Sequence, residues 1–130
     1  MIVDSSAVIA ILLGEPEAER ISTALLSGPT RLMSAFTALE TAVVVEARKG
    51  EAGGREWQLL ALEAGIELIP FTADQQVLAL EAWRRFGKGR HTAGLNIGDC
   101  CSYALSAFTR EPLLCKGTDF PHTDVARLEW

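Results

Sequence analysis

A chain of 130 residues, 48% of them hydrophobic, has the size and composition of one compact domain with its own core. The net charge of −5 argues against a protein that grips nucleic acid across a broad basic face, but not against a nuclease whose bound cations meet the phosphate. The longest early apolar run, residues 7–13, is too short to cross a bilayer, and residues 1–4 lack the basic flank of a signal peptide, so we expect a cytoplasmic protein without membrane contact.

The chain alternates short apolar segments with segments of helical periodicity. In order, these predict a strand over 1–4, a buried helical start over 7–13, a helix over 16–27, a strand over 31–34, helices over 34–49 and 51–64, a strand over 66–71, a helix over 74–86, a helix from 98 onward, and a strand over 112–115. Residues 126–130 are compatible with an edge strand. Short strands separated by helices predict an α/β domain, since parallel strands need helical crossovers.

The helix over 34–49 has recognisable signals at both ends. Ser34 suits its N-cap and Gly50 its stop. Phe36, Leu39 and Val43, together with the neighbouring Val44, recur at helical spacing, so we expect them to form the stripe that faces the core.

Cysteines are few and poorly spaced for any structural bridge. Two of the three are adjacent, at Cys100 and Cys101, and neither histidine lies near them at zinc-site spacing. We expect buried, reduced thiols.

Four acidic residues stand where a parallel sheet would gather them. Asp4 follows the first strand, Asp99 opens a helix and Asp119 follows the last strand, while Glu40 lies on a helix in apolar surroundings. Taken singly, each Asp has an ordinary interpretation as a helix cap or turn residue, and Glu40 as half of a salt bridge. Because ligands bind at the carboxyl ends of parallel strands, we expect the four to lie close together.

Clustered carboxylates repel one another unless a cation is present. Oxygen ligands select a hard metal, and Mg²⁺ fits best, with Mn²⁺ as the alternative. Such an ion can activate water and stabilise the leaving oxygen of a phosphodiester.

Four blocks of the sequence resemble the PIN-domain nucleases, and among them the VapC toxins of bacterial toxin–antitoxin pairs. They are Met-Ile-Val-Asp-Ser-Ser-Ala, Ser-Ala-Phe-Thr-Ala-Leu-Glu-Thr-Ala, Gly-Leu-Asn-Ile-Gly-Asp-Cys-Cys-Ser-Tyr-Ala-Leu, and Pro-Leu-Leu-Cys-Lys-Gly-Thr-Asp-Phe-Pro-His-Thr-Asp. The blocks occur in the order that the family has, and the resemblance spans essentially the whole chain. It implies a single PIN domain over 1–130, a three-layer α/β/α arrangement with a central parallel sheet.

The resemblance also assigns residues. It implies that the catalytic and metal-binding quartet is Asp4, Glu40, Asp99 and Asp119. Ser6 and Asn96 match supporting polar positions, and Asp124 is either an outer ligand or, more simply, an exposed loop acid. Thr118 departs from the family pattern, in which an acid or Asn is common, so the surroundings of Asp119 are the least defined.

Substrate and partners follow from the same resemblance. It implies an endoribonuclease that cleaves RNA, such as transfer or ribosomal RNA, to leave a 3′-hydroxyl and a 5′-phosphate. It also implies a homodimer and a cognate VapB-type antitoxin that covers the pocket, with Ile11 and Leu12 as groove residues unless they simply pack in the core. The chain's densest basic stretch is a solvated surface or a track for the RNA backbone, and comprises Arg84, Arg85, Lys88, Arg90 and His91.

Two other functions compete with a nuclease. A non-catalytic PIN-like module would bind metal or RNA without hydrolysis. A haloacid-dehalogenase-like phosphatase also places an early Asp at a strand end, but it needs a second Asp two positions on, where this chain has Ser6.

Overall fold

The central sheet is parallel throughout, with strand order β3-β2-β1-β4. The computed structural model describes all of residues 1–130. Its strands are β1 (Ile2–Val3), β2 (Arg31–Ser34), β3 (Ile66–Ile69) and β4 (Leu113–Leu114). Its α-helices are α1 (Ser5–Leu12), α2 (Ala18–Ser27), α3 (Ala35–Glu63), α4 (Ala73–Phe86) and α5 (Ile97–Thr109), and a 3₁₀ turn covers Phe120–His122.

Helices cover both faces of the sheet. Successive strand residues point to opposite sides, so that Val3 joins a core with α1, α2 and α3, while Ile2 joins a second core with α4 and α5. Leu113 and Leu114 divide in the same way, and each pairs in register with its counterpart in β1. The predicted three-layer α/β/α architecture is confirmed.

Polar residues at the strand ends begin the helices that follow. The Asp4 side chain accepts the backbone N–H of Ser6, and Ser34 accepts that of Phe36, as its predicted capping role requires. Thr72 caps α4 in the same manner. Because all strands run in one direction, these caps lie at a single edge of the sheet.

Gly50 divides α3 into two helical segments. Its dihedral angles, φ 67° and ψ −166°, lie outside the helical region, whereas the residues on either side are helical. The predicted stop is therefore a sharp bend within one long element.

The apolar stripe predicted for α3 is wrong. Leu39 and Val43 are 63% and 60% exposed, and the residues that face the protein are instead Thr37, Ala38, Thr41 and Val45. Small side chains on this face allow α3 to approach α5, where the Thr37 and Ser102 hydroxyls lie 3.2 Å apart. The more apolar stripe is left at the surface.

Three other predictions need adjustment. The strand predicted over 66–71 ends at Ile69, because Pro70 has no N–H to continue the ladder. The predicted C-terminal edge strand is reduced to one parallel bridge, between Leu113 and Arg127. Ile11 and Leu12 are partly buried and pack against the core, which is the simpler of their two interpretations.

The three cysteines are free and buried, as predicted. Burial raises the pKa of Cys100 to about 11 and that of Cys101 and Cys115 to about 12, so all three stay protonated at neutral pH. None of the helices is long and apolar enough to cross a membrane.

Candidate active site

An open pocket of about 500 Å³ lies at the carboxyl ends of β1 and β4. All four predicted acids line it, although they come from separate parts of the chain: Asp4, Glu40, Asp99 and Asp119. The structure thus brings the quartet together, with one acid from the end of β1, one from each of α3 and α5, and one from the loop after β4.

Asp4 is the most deeply buried acid of the pocket, with 1% of its surface exposed. Its Oδ2 accepts hydrogen bonds from the backbone N–H and the hydroxyl of Ser6, at 3.0 and 2.6 Å. Its Oδ1 accepts one from the Ser102 hydroxyl at 2.6 Å. A buried carboxylate needs such partners, and here they also fix its orientation.

Glu40 is half-buried, and its Oε1 accepts a hydrogen bond from the Ser5 hydroxyl at 2.8 Å. The carboxylate lies directly against Gly98 in the first turn of α5. A β-carbon at Gly98 would stand 2.6 Å from the Glu40 Cδ, which is far inside contact distance. The absence of a side chain at Gly98 therefore makes room for Glu40 in the pocket.

Asp99 takes part in a capping box at the start of α5. The Asn96 side chain accepts the Asp99 N–H at 2.8 Å, and Asp99 Oδ2 accepts the Asn96 N–H at 2.9 Å. Burial raises the pKa of Asp99 to about 7, although the hydrogen bond from the Asn96 backbone lowers it. The negative charges of Asp4, Asp119 and Glu40 raise the pKa further. A bound cation would relieve this repulsion.

Asp119 differs from the other three acids because it is exposed and its side chain makes no hydrogen bond to the protein. It lies at the start of the 3₁₀ turn. The same loop contributes Lys116, the one basic side chain that lines the pocket.

The supporting residues suggested by the sequence separate into two groups. Ser6 and Asn96 lie in the pocket and bond to Asp4 and Asp99, respectively. Asp124 does not line the pocket: it accepts hydrogen bonds from Tyr103 and Arg85, each at 2.6 Å. Asp124 therefore ties the C-terminal segment to α4 and α5.

The basic stretch is not gathered at the acids. Arg85 is paired with Asp124, Arg90 stacks over the Trp83 ring at 4.2 Å, and His91 packs edge-on against Phe86. Lys88 lines an apolar groove, which shares Asn96 with the acidic pocket.

That apolar groove lies beside the acidic pocket and measures about 430 Å³. Its walls include side chains from α3, α4, α5 and the segment after β3, among them Phe36, Phe71, Leu80, Trp83 and Ile97. Ile97 is 70% exposed, and the other four are partly exposed.

Sequence reasoning missed four residues that organise the pocket: Ser5, Gly98, Ser102 and Lys116. Ser102 gave a weak signal, because it lies three residues after Asp99 and so projects from the same side of α5. Gly98 gave another, since glycine is a poor helix former and its presence in a helix often has a packing reason. The contacts of Ser5 and Lys116 join distant segments and had no signal.

The donor chemistry of the pocket suits a hard divalent cation, because its charged ligands are all carboxylates. No three His, Cys, Asp or Glu side chains are arranged closely enough to enclose an ion by themselves.

Comparison with known proteins identifies the family. The PIN domain profile matches residues 1–126. "Ribonuclease VapC30" of Mycobacterium tuberculosis is 52% identical over 126 residues, which cover 97% of this chain and 96% of that protein. "Ribonuclease VapC" of Mycolicibacterium smegmatis is also 52% identical, with 97% and 98% covered.

Solved structures agree on the fold. The Mycobacterium tuberculosis toxin VapC20 matches with a TM-score of 0.80 at 18% identity, over 98% of this chain and 97% of that one. A chain of a toxin–antitoxin complex from Klebsiella pneumoniae matches with a TM-score of 0.70 at 18% identity, over 95% and 92%. From its sequence and its fold together, the chain belongs to the PIN-domain family and, within it, to the VapC ribonucleases.

Proposed function

We propose that this chain is the toxin of a type II toxin–antitoxin pair, a Mg²⁺- or Mn²⁺-dependent endoribonuclease acting in the cytoplasm, with residues 1–130 as one PIN domain. The observation that carries the proposal is the convergence of four carboxylates, from four separate segments, on one open pocket at the carboxyl ends of parallel strands. The names of the relatives, which are VapC ribonucleases, support the same activity.

The residues that would hold the metal are Asp4, Glu40, Asp99 and Asp119. When bound, a divalent cation in such a site polarises a phosphoryl oxygen and lowers the pKa of its water.

The chain itself orients the carboxylates for this role. Ser6 and Ser102 fix both oxygens of Asp4, and Ser5 holds one oxygen of Glu40, so neither acid has to reorganise when the RNA arrives. The Asp119 side chain is exposed and makes no hydrogen bond to the protein. It is therefore free to accept a hydrogen bond from the water that attacks the phosphodiester.

For the substrate we propose structured or single-stranded RNA, with transfer and ribosomal RNA as the first candidates. The VapC20 structure is described as a sarcin–ricin-loop-cleaving toxin, so a ribosomal target occurs in this fold. Cleavage would leave a 3′-hydroxyl and a 5′-phosphate.

Two protein partners complete the proposal. A cognate VapB-type antitoxin would cover the acidic pocket, and a toxin–antitoxin complex is among the structural neighbours. A second copy of the chain would cover the apolar groove, which leaves Phe71, Leu80, Trp83 and Ile97 exposed to solvent in the single chain. The groove would then be part of a homodimer interface beside the active site.

A non-catalytic binding module is the second candidate. It would use the same four carboxylates to hold a metal and would differ from the nuclease only in that no hydrolysis occurs. The phosphatase alternative is disfavoured, because the position where it needs a second Asp is Ser6, whose hydroxyl donates a hydrogen bond to Asp4.

Cleavage of total cellular RNA tests the proposal, using protein that has been denatured and refolded to remove any antitoxin. We expect discrete fragments with Mg²⁺ or Mn²⁺, none with EDTA, and none from Asp4→Asn. Asp124→Asn is the matched control and should keep its activity, because Asp124 lies outside the pocket.

Failure of this test takes two forms. A folded, metal-binding protein that cuts no RNA would move the conclusion to the binding module. Cleavage that survives both EDTA and Asp4→Asn would show that a different site is responsible.

A further inference from the structure

Among the side chains that line the acidic pocket, Lys116 is the single cation. It follows β4, three residues before Asp119. Its backbone N–H donates to the Ser6 hydroxyl at 2.9 Å, and that hydroxyl donates in turn to Asp4 Oδ2 at 2.6 Å. The main chain at Lys116 is therefore linked to the first acid of the quartet through the Ser6 hydroxyl.

The Lys116 side chain is held between two glutamates of the α1–α2 connection. Its Nζ donates to Glu17 Oε2 at 2.7 Å and also forms an ion pair with Glu15. Glu15 lines the pocket, whereas Glu17 does not. The ammonium group is thus fixed at the rim, with 27% of the side chain exposed.

An ammonium group has three N–H donors, and only two of them are used here. Resting on the proposed ribonuclease function, we infer that Lys116 donates its third N–H to a phosphate oxygen of the bound RNA, next to the metal-binding acids. Lys116 is then a substrate-contacting residue for this reaction.

The two ion pairs of Lys116, with Glu15 and Glu17, suit this role. A free lysine side chain loses rotamer entropy when it binds a ligand. Here Glu15 and Glu17 already restrict the side chain before RNA arrives. The RNA backbone must also approach a pocket dominated by carboxylates. The two glutamates outweigh the charge of Lys116, but its ammonium is the one cationic group lining the pocket that offers an N–H to a phosphate oxygen.

A purely structural tie is the competing explanation, and it makes a different prediction. If Lys116 only links β4 to the α1–α2 connection, then Lys116→Met removes both of its ion pairs and Glu17→Gln removes one of them, so both variants should change RNA binding in the same direction. If Lys116 contacts phosphate, the two variants should differ, because Glu17→Gln removes a negative charge and leaves the ammonium in place.

The test measures binding of a short fluorescein-labelled single-stranded RNA of mixed sequence by anisotropy, as a function of salt. All proteins carry Asp99→Asn, which removes one of the four acids and so should prevent cleavage. Asp99 is chosen because it makes no hydrogen bond or ion pair with Lys116. We expect Lys116→Met to weaken binding several-fold and to reduce the slope of log K against log salt by about 0.7, the value for one phosphate contact in single strands.

The companion variants separate the explanations. Lys116→Arg should restore most of the slope, and Glu17→Gln should bind RNA at least as tightly as the parent, even if both lower the melting temperature. An unchanged slope in Lys116→Met, or weaker RNA binding by Glu17→Gln, would overturn the inference. RNA cleavage by the unsubstituted chain tests the proposed function separately, so a chain that cleaves RNA and shows an unchanged slope refutes only the role of Lys116.

Discussion

At the scale of single residues, Gly98 is the clearest case in which a missing side chain positions a functional one. An added β-carbon would overlap the Glu40 carboxylate, which would then have to leave its place beside Ser5. We predict that Gly98→Ala lowers Mn²⁺ affinity and the rate of RNA cleavage by about tenfold, a typical loss when a residue that supports a metal ligand is changed. Calorimetric titration and a single-turnover assay measure the two effects.

A double-mutant cycle provides the control for Gly98. In a Glu40→Ala background there is no carboxylate to displace, so Gly98→Ala should have no further effect on Mn²⁺ affinity. An equal loss in both backgrounds would mean that the β-carbon acts through something other than Glu40.

The acids were predictable from sequence, but most of their supports were not. Asp4 follows an apolar strand, and Asp99 opens a helix behind Asn96, so both carried local signals as well as a family motif. Ser102 reaches Asp4 only because α5 packs across the end of β1, a relation that no local pattern encodes. The roles of Ser5, Gly98 and Lys116 depend likewise on contacts between distant segments.

At the scale of elements, the bend in α3 depends on a backbone conformation that other residues rarely adopt. Gly50 has φ 67° and ψ −166°, and a β-carbon there would meet no neighbouring atom within 4 Å. We therefore predict that Gly50→Ala lowers the free energy of unfolding by about 1–3 kcal/mol through backbone strain alone. Urea denaturation measures the change.

Glu51→Ala is a suitable control for the bend, because Glu51 is an adjacent, highly exposed helical residue. Its effect should stay within about 0.5 kcal/mol. Equal stability of Gly50→Ala and the unsubstituted chain would show that the bend tolerates an ordinary residue.

The same helix shows where sequence periodicity fails. Periodicity selected Phe36, Leu39, Val43 and Val44 as the core face of α3, because these apolar residues recur at helical spacing. The buried face instead uses Thr37 and Thr41, whose small side chains allow close packing and whose hydroxyls find partners inside the protein. Apolar periodicity therefore did not identify the buried face of α3.

At the scale of the whole molecule, the proposed homodimer makes the apolar groove an interface. We predict that Leu80→Lys, within the groove, shifts the chain from dimer to monomer, because a charge would be buried there without a partner. Leu62→Lys is the matched control, since Leu62 is 79% exposed and lies outside the groove.

Light scattering coupled to size-exclusion chromatography gives the mass of each variant in solution. A dimer that persists in Leu80→Lys, or that is lost equally in Leu62→Lys, would exclude the groove as the interface.

The central claim is that four carboxylates from distant segments act as one divalent-cation site. Calorimetric titration of Mn²⁺ into EDTA-treated protein tests it most directly, by comparing the unsubstituted chain with Asp4→Asn, Asp99→Asn and the control Asp124→Asn. We predict that the first two variants bind Mn²⁺ at least about tenfold more weakly and that the control binds it normally. Unchanged affinity in Asp4→Asn and Asp99→Asn would contradict the claim.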